Sequence, residues 1–367
     1  MKLLTHLRKP LLSVAMLCIA CMTLQSQTVY VVDNNQGSGA QYTSVQAAVN
    51  DASAGDIIYL QPSPNSYGDI QMNKPLSIYG IAHNAELNSG ERATVNNILF
   101  RYENASGSKI SGLRINGIYL DNTTYSNHDV VITNNRIVFI QGNSSTGRAN
   151  NAIISGNFFY HTSTRAIDNY NCQNWIISNN TFNMWSTWYD YDLFYRLNST
   201  TLLNNNIIMT LQNGDTNQSV AVFRSCNGTQ ISNNIFIFTG TDVVNMNRGS
   251  NSSLNFQNNL TYSINTAFDP LAGTNNIDDT DPQFVSYNPN VPLNSTGNDY
   301  HIQAGSLAEN AGTDGNDLGV FNGGFPFNIR GYPTELPHLT DFVIYNNIIS
   351  AGTDLNINIK ANANITN

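Results

Sequence analysis

Ile132-Thr-Asn-Asn135-Arg-Ile137 returns as Ile154-Ser-Gly-Asn157-Phe-Phe159, Ile177-Ser-Asn-Asn180-Thr-Phe182, Leu203-Asn-Asn-Asn206-Ile-Ile208, Ile231-Ser-Asn-Asn234-Ile-Phe236 and, more loosely, Phe256-Gln-Asn-Asn259-Leu-Thr261. The asparagines are 22, 23, 26, 28 and 25 residues apart. Upstream, Ile110-Ser-Gly-Leu113-Arg-Ile115 keeps the apolar positions and replaces the asparagine. A phrase returning at such a period marks a repeat architecture, in which each unit buries its apolar face against its neighbours. An apolar residue three before the asparagine and another two after it suit two short strands pointing inward on either side of a bend. Asn or Gly tolerates the left-handed backbone that such a bend needs. Stacked asparagines can bond to one another and to adjacent backbone, satisfying the polar groups buried in each layer. The expected fold class is therefore all-β, a right-handed parallel β-helix with Asn135, Asn157, Asn180, Asn206, Asn234 and Asn259 in one buried ladder. Leucine-rich repeats share the period, but the column five before the asparagine holds Val130, Ala152, Trp175, Thr201, Thr229 and Leu254, and no helical stretch separates the phrases.

Before the coils, residues 42–60 read differently. Thr43 or Ser44 can cap a short amphipathic helix with Val45, Ala48 and Val49 on one face, and Gly55 ends it before a strand from Ile57 to Leu60. A solenoid must cover its open apolar end, and this segment is placed to do so. After the coils, Asp281-Pro-Gln-Phe284 opens a Gly- and Pro-rich stretch, and the alternation Leu355-Asn-Ile357-Asn-Ile359-Lys marks a last exposed-face strand. The expected organisation is a signal at 1–26, a cap with the first strands at 27–75, ladder coils at 76–285, and C-terminal coils with a β extension at 286–367.

Met1 to about Ser26 has the form of a secretory signal: Lys2, Arg8 and Lys9, then an apolar stretch from Leu11 to Leu24. That stretch is too short to span a membrane. Lipid attachment at Cys21 is the alternative, with Cys18 at the place where such signals usually hold Leu. Without those three cations the balance is 13 Lys and Arg against 25 Asp and Glu, or −12, which argues against a nucleic-acid partner. The expected product is a secreted, periplasmic or cell-surface monomer. In that oxidising compartment only Cys172 and Cys226 remain, so no disulfide framework holds the fold. Counted from the asparagines the two share a column two coils apart, roughly 9.6 Å, beyond the reach of about 7 Å that a bridge allows.

The order of cap helix, coils, Asp281-Pro-Gln-Phe284, Asp299-Tyr-His-Ile302, Asn310-Ala-Gly312 and Asp317-Leu-Gly319 resembles the pectate-lyase-like right-handed β-helix repeat proteins secreted by Bacteroidota. The resemblance covers nearly the whole chain after the signal and speaks to fold more than to activity, since such proteins include polysaccharide lyases, glycosidases and members with no known activity. It implies a polysaccharide partner, an acidic one for the lyases, in which calcium or arginine neutralises a uronate and Lys or Arg takes the proton beside the carboxylate. Arg165, Arg196 and Arg224 are the candidates for those catalytic roles, with His161 or Tyr195 as alternatives. The chain departs from the related patterns: of the polygalacturonase set only Asp278-Asp279 appears, outside the coils, and the pectate lyase arginine signature is missing. A non-catalytic adhesin or glycan-binding rod is the competing reading.

Equal offsets from the asparagines sharpen the candidates. Ten residues before lie Tyr170, Arg196 and Arg224; twelve before lie Asp168, Phe194 and Val222. Alternation turns both sets outward, with Ile167, Leu193 and Ala221 inward. Stacked arginines repel unless a carboxylate, such as Asp168, Asp192 or Asp242, or an anionic ligand lies between them. The loop between Asn180 and Asn206 gathers Trp185, Trp188, Tyr189, Asp190, Tyr191, Asp192 and Tyr195, whose aromatic faces and carboxylates suit sugar rings and hydroxyls; the bland reading is a loop folded over its own aromatics. No cofactor is implied with certainty. Calcium has candidate ligands in Asp278, Asp279 and Asp281 and in Asp314, Asn316 and Asp317, without EF-hand spacing, so that turn formation is the simpler role.

Overall fold

The computed structural model describes residues 27–362 apart from 89, 101–103, 121–123, 143–148, 162–164, 171, 186–191, 212–220, 240–244, 249–250, 266–269, 289–290, 292–294, 296 and 346–353. The signal region lies outside the described residues. Two parallel sheets run the length of a β-solenoid, of eleven and thirteen strands. In the first, Ile110, Ile132, Ile154, Ile177, Leu203, Ile231 and Phe256 stand in register, one per coil. In the second, Ile115, Ile137, Phe159, Phe182, Ile208 and Phe236 do the same. Both columns are fully buried, and the rings of Phe159 and Phe182 stack at 4.5 Å. These are the apolar positions of the recurring phrase.

The two central residues of the phrase divide the work of the bend. The first takes the left-handed backbone: Asn134, Gly156, Asn179, Asn205, Asn233 and Asn258 have φ between 52° and 66°. The second turns inward, and all six ladder asparagines are fully buried. Asn206 shows the pattern. Its Nδ2 donates to Ile177 O, Asn204 O and Asn234 Oδ1 at 3.0, 2.9 and 2.9 Å. Its Oδ1 accepts from the Asn180 backbone N–H at 2.9 Å and from Asn180 Nδ2 at 3.1 Å. Leu113 closes the upper end by donating its backbone N–H to Asn135 Oδ1. At the lower end the ladder runs one step further than the sequence suggests, because Asn259 donates to Asn276 Oδ1 from both its backbone and its amide. That last coil is only 17 residues long, which hid the step from a search at the longer period.

A third column of short strands arises by splitting. The strand Arg136–Gln141 pairs at its head with Phe158–His161 and at its tail with Ile167–Asp168. From there Ile167–Asp168, Phe194–Tyr195, Ala221–Arg224 and Asn245–Arg248 stack as a separate face of each coil.

The outward side of the second sheet is apolar as well, and Phe158, Ile207, Met209, Ile235, Ile237 and Leu260 form a second core. The segment from Phe284 to Ile329 covers it as a strap, contributing Phe284, Tyr300, Leu318, Val320 and Phe327. The left-handed asparagines hold this strap. Asn258 Nδ2 donates to Ala311 O and Asn233 Nδ2 to Thr313 Oγ1, while Thr313 N–H donates to Asn233 Oδ1 and Asn179 Nδ2 to Val320 O. In the phrases of Asn180, Asn234 and Asn259 one asparagine thus ties coil to coil, and its neighbour ties coil to strap.

The cap helix, α1, spans Val45–Asp51 with Ser44 as its N-cap and Val45, Ala48 and Val49 buried, followed by the strand Ile57–Leu60. Ile357–Asn362 pairs antiparallel with His338–Ile344 in a small separate sheet. Cys172 and Cys226 are both buried and are not joined in a disulfide. Counted from the following strands the two share a column, since Ile176, Leu202 and Gln230 are partners and each cysteine lies four residues before its own, but counted from the preceding column they do not. Asp168, Tyr195 and Arg224 are partners, so Cys172 lies four residues past its strand and Cys226 two past its own. Among the described residues no helix is long and apolar enough to cross a membrane.

Candidate ligand site on the third strand column

The register of the third column corrects the equal-offset reading. Ile167, Phe194 and Phe223 are paired and fully buried, the two phenyl rings stacking at 5.2 Å in the inner core, so Phe194 faces inward rather than outward, and Val222 is buried in the same core. The outward partners are Asp168, Tyr195 and Arg224. Their distances to the following ladder asparagine are 180 − 168 = 12, 206 − 195 = 11 and 234 − 224 = 10 residues. The arc between column and ladder shortens by one residue per coil, and a fixed offset slips by the same amount.

Tyr170 and Arg196 sit just past their strands with φ of 54° and 58°. A left-handed residue with a Cβ costs roughly 1–2 kcal/mol. Every other left-handed non-glycine residue described here is Asn, Asp, Ser or Gln, the types that serve bends cheaply. A tyrosine and an arginine in that conformation place side chains where bend geometry alone would not ask for them. The Arg196 guanidinium carbon lies 3.2 Å from the Tyr170 ring centroid and 4.3 Å from that of Tyr195. Its Nη2 and Nε meet the two oxygens of Asp168 at 2.9 and 3.2 Å, a bidentate pair reaching back across one coil.

Arg165 comes to the same centre from the other side. Its guanidinium carbon is 3.6 Å from the Tyr195 centroid, its Nη1 is 3.4 Å from Asp168 Oδ2, and its Nε is buried without a partner among the described residues. Arg224 lies 6.0 Å from the Tyr195 centroid and pairs at 3.3 Å with Asp192, whose side chain is wholly buried. Three guanidiniums therefore meet two carboxylates, leaving one positive charge in excess on a chain whose net charge is −9. The arginine side chains stay about one-third exposed, at 32, 30 and 35%. Burial pushes the Asp168 carboxyl above its ordinary value, with Arg196 and then Arg165 opposing the shift. Arg196 is held above the ordinary guanidinium range by its bond to Asp168, against the effect of burial.

The structure brings together Arg165, Tyr170, Asp192, Tyr195, Arg196 and Arg224 from the sequence candidates, with Asp168 as the hub; Asp168 and Asp192 are the carboxylates expected beside the arginines. Trp188, Tyr189, Asp190, Tyr191 and Asp242 lie outside the described residues, as do the side chains of His161 and Trp185. The aspartates considered for calcium are turned to their own chain. Asp278, Asp279 and Asp281 accept the backbone N–H groups of Leu271, Ser263 and Gln283, and Asp314 and Asp317 those of Asn316 and Asn310. Among the described residues no group of three or more His, Cys, Asp or Glu is arranged to hold a metal ion. Comparison with protein-family models returns no match for the chain, and comparison with curated proteins returns none.

Proposed function

We propose that the chain is an exported β-helix protein of the pectate-lyase-like type that binds an acidic polysaccharide along its third strand column. The observation that supports this reading is the Tyr195 cluster: three partly exposed guanidiniums against two carboxylates, with Tyr170 and Arg196 held in a costly backbone conformation. An excess cation flanked by aromatic faces suits a uronate or sulfated sugar, the charge meeting the guanidinium and the ring C–H surface meeting tyrosine. Binding is favoured over cleavage by the chemistry of Arg196. A base that abstracts a proton needs its own proton affinity lowered, and Asp168 raises that of Arg196. The cleavage reading keeps one group of interest in Asp168, whose raised pKa suits a proton donor.

The test is retention on immobilised acidic polysaccharide, with melting temperature measured alongside. Replacing Arg196 and Arg224 together by Gln should abolish retention and also lower the melting temperature, because each leaves a buried carboxylate unpaired, whereas Arg165→Gln, whose pair with Asp168 is long at 3.4 Å and is backed by Arg196, should weaken retention at a nearly unchanged melting temperature; full retention by the folded Arg165 variant would mark the arginines as structural ion pairs. Incubation with uronic-acid polysaccharides, watching for unsaturated-product absorbance and new reducing ends, separates a binding rod from a lyase or hydrolase.

A further inference from the structure

A second set of arginines lies at the opposite end of the same strands. Thr94, Arg114, Arg136 and Phe158 stand in register at the outward start of the second sheet. From Phe158 onward this column continues as Thr181, Ile207, Ile235 and Leu260, with the apolar members in the core beneath the strap; above Phe158 it is arginine. Neighbouring parallel strands are about 4.8 Å apart, so the stems of Arg114 and Arg136 emerge within range of strong like-charge repulsion. Arg136 is half-buried, its guanidinium carbon 4.5 Å from the Tyr160 ring centroid and 5.5 Å from that of Phe158. Burial and then Arg114 hold its pKa below the ordinary guanidinium range; Arg92, one coil earlier, acts in the same sense, while Tyr160 and the exposed Glu86 act against it.

The contrast with the Tyr195 cluster is one of partners. There each arginine has a carboxylate within 3.4 Å. Among the described residues Arg92, Arg114 and Arg136 have none within ion-pair distance, and their guanidiniums make no hydrogen bond. Partly buried cations without a paired anion are unusual in folded proteins. His83 adds an independent observation. It is fully buried against Phe158 and Phe327, at centroid distances of 6.5 and 6.4 Å, and neither ring nitrogen has a hydrogen-bond partner.

We propose that Arg92, Arg114 and Arg136 form an anion site on this face that takes a doubly charged tetrahedral oxyanion, a phosphate monoester group, for which inorganic phosphate and sulfate serve as probes. The charge count selects a dianion: three guanidiniums less Glu86 leave 3 − 1 = 2 positive charges. The planar forks of Arg114 and Arg136, one coil apart, suit two oxygens of one tetrahedral group. The site does not rest on the Tyr195 reading, since Arg136 opens and Gln141 closes a single strand whose tail carries that other column.

Calorimetric titration with sodium sulfate and sodium phosphate, against sodium chloride at matched ionic strength, tests the site. The wild-type chain and Arg196→Gln should both give saturable binding, and Arg114→Gln combined with Arg136→Gln should weaken it by at least about tenfold, the change expected from losing a charge-assisted contact. Arg92→Gln, a partly exposed side chain outside the packed strands, should weaken binding at an unchanged melting temperature, a check that does not depend on the double variant folding well. A phosphomonoester run in parallel should bind more tightly than a sulfated monosaccharide, whose ester group carries a single charge, and the reverse order overturns the selection of a dianion. No saturable binding by the wild type, or affinity in the double and Arg92 variants equal to that of the wild type, overturns the proposal; loss in Arg196→Gln alone assigns the anion to the Tyr195 cluster and overturns it as well.

Discussion

Asn205 and Asn206 are adjacent, chemically identical and assigned opposite roles, so replacing each by glycine and alanine separates the ladder from the bend. Without the Asn206 amide, the Asn180 backbone N–H loses its acceptor at 2.9 Å in a fully buried site. Other partners are partly rescued: Asn180 Nδ2 keeps Ile154 O, and Asn234 Oδ1 keeps the Asn206 backbone N–H. One orphaned buried donor costs about 1–3 kcal/mol, and the space left by the amide moves the total toward the upper end. Asn205 has φ of 55°, which glycine adopts without a Cβ penalty, and its contact with Gly319 O is long at 3.5 Å. Asn205→Gly should therefore cost under about 1 kcal/mol, and Asn205→Ala roughly 1–2 kcal/mol from left-handed strain. The expected order of urea midpoints, with m-values checked for constancy, is wild type, Asn205→Gly, Asn205→Ala, then Asn206→Ala and Asn206→Gly lowest. If Asn205→Gly cost as much as Asn206→Gly, or if Asn206→Gly were neutral, the division of roles would be wrong.

Acid should destabilise the fold through His83, whose pKa falls from 6.5 to about 3 by burial and then by Arg136. The unfolded chain binds the extra proton, so this contribution is complete above pH 6.5 and is lost as pH falls toward 3, with a slope approaching 1.4 kcal/mol per unit, about the value of one proton. Urea unfolding at pH 4 and pH 7 should show a smaller difference for His83→Phe than for wild type, and an unchanged difference would exclude His83 as the titrating group. Thiol titration of the chain beginning at Gln27 should count two free thiols once it is unfolded without reductant, and almost no reaction while native, because both are buried and burial pushes Cys226 up to about 12. A count of zero after unfolding would require a bridge. Replacing Asn233 by Ala should speed amide exchange at Thr313, whose N–H it accepts at 2.9 Å, while the ladder amide of Asn157 stays protected; equal protection at Thr313 would mean that the strap does not depend on the asparagine.

The repeating phrase by itself carried the architecture, because a period in which Ile, Asn and Phe columns move together permits few ways of burying them. The six ladder asparagines, the inward columns, Ser44 as helix cap and the strand Ile57–Leu60 were all legible, since each follows from local spacing and side-chain chemistry. The ladder's seventh member was not, for Asn276 breaks the period. Nor was the strap: the outward apolar residues Ile207, Met209 and Ile235 announce a cover, but only long-range packing shows that residues 284–329 supply it. The candidate site failed in register for a related reason. Residue types named the arginines and tyrosines, while loops of unequal length between column and ladder decided that Asp168, rather than Tyr170, lies beside Tyr195. Spacing along a chain predicts contacts within a coil. Contacts between coils depend on how many residues each turn spends at its corners, which hydrogen bonding between strands settles only when the coils are stacked.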